Sequence, residues 1–182
     1  IAHIDCKDVF GIVGENFTFP VEIDRNVGEI TWKKNKDKVA RWEEPNKWTY
    51  FDTLQNRSVL MKNGSLTVLH LELGDAGPYE LHYWDFVEDH YLNFVLFVLG
   101  PLPEPEISCN TSDGKLALSC TADFQRPLYY SWKLNNNPRS SQNLSELSIP
   151  LENVGTTTSA TCIITFSKTE RSSEISLVQC LP

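Results

Sequence analysis

The sequence predicts an all-β chain of two tandem β-sandwiches. Three observations carry this. Short alternating segments recur with turn signals at roughly eight- to twelve-residue spacing. Each half places a tryptophan on an early strand, Trp32 and Trp132. One proline-rich tract, Leu99-Gly100-Pro101-Leu102-Pro103-Glu104-Pro105, separates the halves and favours an extended connector. The division is therefore 1–99, a connector at 100–105, and 106–182. A chain of 182 residues has room for two small domains.

In the first half, Asp8 to Gly14 reads as a strand closed by a glycine turn. Within Asn16-Phe17-Thr18-Phe19-Pro20-Val21, the residues Phe17, Phe19 and Val21 fall on one face and Asn16 and Thr18 on the other. Pro20 removes a ladder donor, so this strand should lose pairing there or lie near an edge. Asp24 to Gly28 is a turn. Ile30 and Trp32 alternate with polar neighbours, as in a half-buried strand. Lys33 to Lys38 then holds five charged residues in six positions, and Val39 restarts the alternation. That crowded run is either a solubilising loop or a pairing surface. Glu43 to Lys47 is a turn, and Trp48, Tyr50 and Leu54 punctuate short edge strands. Arg57 to Met61 is a strand, Asn63-Gly64 a tight hairpin turn, and Ser65 to Leu71 the return. Asp85 to His90 is a polar hairpin before the long apolar strand Tyr91 to Leu99.

The segment Asp75-Ala76-Gly77-Pro78-Tyr79-Glu80-Leu81 resembles the Asp-X-Gly-X-Tyr-X-Cys corner of immunoglobulin domains. There the tyrosine hydroxyl ties the corner to nearby backbone. Leu81 stands at the cysteine position, and Val21 stands at that of the earlier strand. The inter-sheet disulfide is thus expected to be replaced by two apolar side chains packed on Trp32. Arg57 and Asp75 match the ion pair that closes the bottom of a variable-type sandwich.

In the second half, Lys115 to Cys120 and Tyr129 to Leu134 alternate as strands, with Trp132 twelve residues after Cys120. Cys162 completes a Cys…Trp…Cys order, which pairs Cys120 with Cys162 and leaves Cys109 for Cys180. Ala160 occupies the position of the corner tyrosine, a local departure. So short a domain is expected to be constant-type. Cys6 is left over: an unpaired thiol with no stated role, an intermolecular partner, or a bond to a segment outside this sequence.

Composition bounds the function. The 24 acids against 16 bases give −8 and a pI near 5.0. Without a basic stripe, nucleic acid is not an expected partner. No run of 18 apolar residues occurs, so this fragment itself is not expected to contact a membrane. Ile1 to Cys6 lacks the pattern of a signal peptide, so the chain reads as a mature fragment with its leader and its anchor, transmembrane or lipid, elsewhere. Five sequons, at Asn16, Asn56, Asn63, Asn110 and Asn143, point to the secretory route and to glycosylation. The histidines His3, His70, His82 and His90 have no partner at zinc spacing, although His82 and His90 could converge across a hairpin. Gly-X-Ser-X-Gly and phosphate-binding glycine loops are absent. No catalytic residue, metal or cofactor is assigned, and an enzyme is disfavoured.

A variable-type domain lacking its disulfide, a Pro-rich connector and a second domain with two disulfides resemble one particular family. It is that of the two-domain immunoglobulin-like adhesion molecules of leukocytes, which includes the T-cell erythrocyte receptor, its ligands and the signalling lymphocytic activation molecules. Trp32-Lys33-Lys34-Asn35-Lys36-Asp37-Lys38-Val39-Ala40 and Asn56-Arg57-Ser58-Val59-Leu60 carry the most specific likeness. The resemblance implies adhesion from the extracellular side of the plasma membrane. First domains would meet head to head through the sheet holding the Trp strand and the last two strands. The partner would be an immunoglobulin-like receptor on another cell, the T-cell erythrocyte receptor or a relative. Candidate contacts are Glu29, Lys33, Lys34, Lys36, Asp37, Lys38, Arg41 and Glu43, with Trp84, Asp85 and Glu88 at the hairpin. Charges of both signs set partner choice and encounter rate more than affinity, so binding should be weak, fast and salt-sensitive. An apolar anchor is expected from Trp42, Tyr50, Phe51 or Trp84. The alternatives are a secreted or viral decoy of such a ligand, or another receptor of the signalling lymphocytic activation molecule type.

Overall fold

The computed structural model describes residues 6–138 and 143–181; His3 and Pro182 lie outside them. It forms two units, one up to Pro101 and the other from Leu102. The first contains β1 Cys6–Ile12, β2 Phe17–Thr18, β3 Glu29–Lys34, β4 Asp37–Glu43, β5 Lys47–Tyr50, β6 Ser58–Leu60, β7 Leu66–Val68, β8 Gly77–Trp84 and β9 Asp89–Leu99. Six of these form a sheet in the order β1-β9-β8-β3-β4-β5, and β2-β7-β6 form the sheet opposite.

Phe19 sits at the centre of the core between the sheets. It is fully buried, with its ring 4.8 Å from Trp32, 4.8 Å from Tyr79 and 5.4 Å from Phe94. This corrects the expectation drawn from cysteine positions. Val21 is only partly buried at the edge of the core, whereas Leu81 is fully buried. The cause is Pro20. Regular pairing stops at Thr18, Phe19 donates a last bond to Leu66, and the Val21 amide turns back onto the Phe19 carbonyl. Burying an aromatic side chain stabilises by roughly 1.5–3 kcal/mol, which offsets much of what a missing disulfide would contribute, roughly 2–5 kcal/mol. Trp32 Nε1 donates to the Gly64 carbonyl at 2.9 Å, pinning the six-stranded sheet to the β6–β7 turn. Gly64 has φ +91°, and a β-carbon there would lie 2.5 Å from Ile23, so the Asn-Gly turn needs its glycine.

At the other end of this unit the corner is closed by polar groups. The Tyr79 hydroxyl donates to the Asp75 carbonyl at 2.6 Å. Arg57 grips Asp75 with both terminal nitrogens, at 2.9 and 2.8 Å, and also donates to the carbonyls of Leu69 and His70. Burial alone would raise the Asp75 carboxyl. The Arg57 hydrogen bonds, the Glu72 amide and the charges of Arg57 and Lys34 outweigh it and hold the group below the usual range.

The second unit packs β10 Glu106–Ser112, β11 Lys115–Thr121 and β14 Glu146–Pro150 against β13 Asn137–Pro138, β12 Tyr129–Leu134, β15 Ser159–Phe166 and β16 Thr169–Ser176. Disulfides join Cys120 to Cys162 and Cys109 to Cys180. Trp132 lies beside the first of these, its Nε1 donating to the Leu144 carbonyl. A constant-type domain divides its strands four and three. Here the short β13 lies beside β12, because Asn135 and Asn136 take positive φ and fold it straight back.

Candidate functional site

Alternation on four strands builds one outward face on the first unit. With Ile30 and Trp32 turned into the core, Glu29, Thr31 and Lys33 of β3 point out. The register sets Arg41 and Glu43 of β4 beside Thr31 and Glu29, and Lys38 beside Lys33 across a bulge. On the other flank, Glu80, His82 and Trp84 of β8 oppose Lys33, Thr31 and Glu29. Beyond them come Asn93, Tyr91 and Asp89 of β9. Three levels result. An acidic upper row holds Glu29, Glu43 and Asp89, with Lys47 at the margin. The middle row holds Arg41, His82 and Tyr91. The lower row runs Lys38, Lys33, Glu80 and Asn93.

Neighbouring charges on this face are already paired. Arg41 reaches Glu29 at 3.1 Å and Glu43 at 3.5 Å. His82 Nε2 lies 2.8 Å from Asp89, its ring stacked on Tyr91 at 4.7 Å. Lys33 and Lys38 make no ion pair among the described residues. The β3–β4 turn is the two-residue Asn35-Lys36, with φ +49° and +71°, the hairpin type whose twist matches that of its strands. It lifts Lys36 and Asp37 to the end of the sheet, exposed.

Two predicted contacts are held elsewhere. Lys34 lies opposite the inward-facing Tyr79, and its ammonium bonds the Gly74 carbonyl at 2.5 Å. The Asp85 side chain is only 7% exposed. Glu88, also predicted, is exposed at the hairpin tip. Trp84 is half-exposed, lying over Gly28, where a β-carbon would come within 2.7 Å of its ring. Among the other aromatic anchors, Trp42 is overturned: it is 3% exposed and packs edge-to-face with Trp48. Its alternation places it with Ala40 and Ile30, on the core side. Tyr50 sits on the edge strand, its hydroxyl accepting the Leu60 amide. Phe51 lies 5.8 Å beneath the Lys38 ammonium.

His82 and His90 do not converge. His90 bonds Asp85 at 2.9 Å, on the opposite side of the hairpin from His82. Donor atoms of Asp85, Glu88 and His90 lie within 4.8 Å of one another, but the Arg25 guanidinium already sits 3.1 Å from Asp85.

No family model matches the chain. Human lymphocyte function-associated antigen 3 is 31% identical over 137 residues, which is 71% of this chain and 54% of that protein. Horse T-cell surface antigen CD2 is 27% identical over 123 residues, 65% of this chain and 35% of that protein. The chain belongs to the leukocyte adhesion family of immunoglobulin-like proteins. A crystal structure of the CD2-binding domain of CD58 (lymphocyte function-associated antigen 3) agrees in fold, with TM-score 0.53 at 24% identity over 98% of this chain and 100% of that one. The chain spans about half the length of the human relative.

Sequence reasoning missed several outward residues of this sheet: Glu80, His82, Asp89 and Tyr91. The signal was present. Tyr79 and Leu81 are inward-facing, so their neighbours Glu80 and His82 must face out.

Proposed function

We propose that this chain is part of the ectodomain of a cell-surface adhesion protein whose six-stranded sheet docks an immunoglobulin-like receptor of the CD2 type on an opposing leukocyte. The observation that carries this reading is the distribution of sequons. Asn16, Asn56 and Asn63 are exposed and lie just before β2, just before β6 and in the β6–β7 turn, all beside the three-stranded sheet. None lies on the strands of the six-stranded sheet. Occupied sequons would cover one face with glycan and leave the charged one bare. The likeness in fold to the CD2-binding domain of CD58 fits the same reading.

Glu29, Lys33, Lys38, Arg41 and Glu43 are the central contacts, with Lys36 and Asp37 at one margin and Trp84 and Glu88 at the other. Lys34 and Asp85 act through the fold. Ion pairs across such a face gain attraction but lose hydration, so specificity and encounter rate profit more than affinity. Replacing Lys33 and Lys38 together by Glu is expected to weaken binding to a CD2-type ectodomain at least tenfold in surface plasmon resonance. The melting temperature should stay within a few degrees, since both side chains are at the surface. Binding of the double variant at wild-type strength would remove this face from the account.

A further inference from the structure

The β8–β9 hairpin ends in three apolar side chains that the core does not use. Trp84 is 39% exposed, Phe86 46% and Val87 86%. A tip of this kind usually moves, but here a carboxylate ties it down. Asp85 Oδ1 accepts the Val87 and Glu88 amides at 3.0 and 2.8 Å. Its Oδ2 accepts from Arg25 at 3.1 Å and meets His90 Nε2 at 2.9 Å. The His90 ring is in turn stacked on Tyr83 at 4.6 Å. On this pedestal Phe86 is held at φ +72°, a region a bulky residue rarely adopts, and strain of that kind collects at functional sites. Phe86 packs on Trp84 at 4.8 Å, so the apolar surface is continuous with the upper end of the charged sheet.

The geometry points to Phe86 and Val87 as the apolar anchor of the docking face, with Asp85 as its positioning residue. This rests on the reading of that sheet as the docking face. The occupant is an apolar cleft on the partner protein, rimmed by Lys or Arg. The rim chemistry follows from charge. Exposed Glu88 and Asp89 lie on the hairpin and Glu44 shares a cleft with Phe86 that Arg25 and Lys62 also line, so acidic groups outnumber basic ones beside the tip, and they complement a basic rim while opposing an anionic bilayer. An anchor fixed before binding has little conformational entropy left to lose.

The test uses the glycosylated fragment against immobilised CD2 ectodomain, horse CD2 serving as the probe. Phe86→Asn together with Val87→Ser removes the apolar groups while keeping a residue that tolerates positive φ. This pair is expected to weaken binding at least tenfold. Asp85→Ala keeps both apolar side chains but frees them. It should weaken binding severalfold and speed amide exchange at Val87 and Glu88, and Asp85→Asn, which can still accept those amides, should restore part of both. If Lys33→Glu with Lys38→Glu abolishes binding while the Phe86/Val87 pair stays within twofold of wild type, the anchor is overturned and the docking face stands. If the wild type does not bind, both fall. Tip-dependent binding to neutral phosphatidylcholine vesicles, or tip-dependent self-association in sedimentation, would overturn the choice of occupant.

Discussion

Arg57→Met should lower the unfolding free energy of the first unit by about 3–5 kcal/mol near neutral pH, the range for leaving one member of a buried ion pair without its partner. Asp75 is 4% exposed and cannot turn to water. Its remaining donor would be the Glu72 amide, at 2.9 Å. Methionine preserves most of the buried stem, so the loss measures the guanidinium and not the packing. The pH dependence has a definite sign. The folded Asp75 carboxyl sits below its ordinary value, so its contribution is fully present above the unfolded value of about 3.9. It is lost as pH falls from there through the folded value. The gap between wild type and Arg57→Met should therefore narrow in acid. Urea titrations at neutral pH and at successively lower pH read both effects. A gap that widened on acidification would show that Asp75 is not held ionised by Arg57. Replacing both residues by apolar ones of similar volume should cost less than the single change, because no charge is left buried.

That pair is legible in the amino-acid sequence, because Asp75-Ala76-Gly77-Pro78-Tyr79 is a local motif and Arg57 stands at a matching distance along the chain. The second unit's disulfides are legible for a similar reason: Cys120, Trp132 and Cys162 occur in an order that few folds use. The docking face is only half legible. Lys33 and Lys34 are adjacent and alike in sequence, yet alternation sends one outward and the other to the Gly74 carbonyl. Trp42 reads as a surface anchor among charges, but its register partners place it inside. Asp85 reads as a partner contact on the polar hairpin. What makes it a pedestal is Arg25, sixty residues earlier in the chain, and no local pattern records that contact.

Phe19 offers the sharpest separation of motif from packing, because cysteine-position reasoning nominates Val21 instead. Phe19→Ala should destabilise the first unit by about 3–5 kcal/mol, the range for emptying a large aromatic site in a core that relaxes only partly. The rings of Trp32, Tyr79 and Phe94 would line the void on one side and that of Phe17 on the other. The first three belong to different strands of the six-stranded sheet, so none of them can fill the space without dragging its strand along. Val21→Ala should cost about 1 kcal/mol, an ordinary value for a partly buried site beyond the end of regular pairing. Equilibrium denaturation followed by tryptophan fluorescence measures both, since Trp32 is one wall of the cavity. Equal losses at the two positions would mean that the centre of the sandwich lies where the missing cysteine would have been. A loss confined to Phe19 would mean that the chain compensates for the absent cross-link two residues earlier, with an aromatic side chain that reaches the opposite sheet across the full thickness of the core.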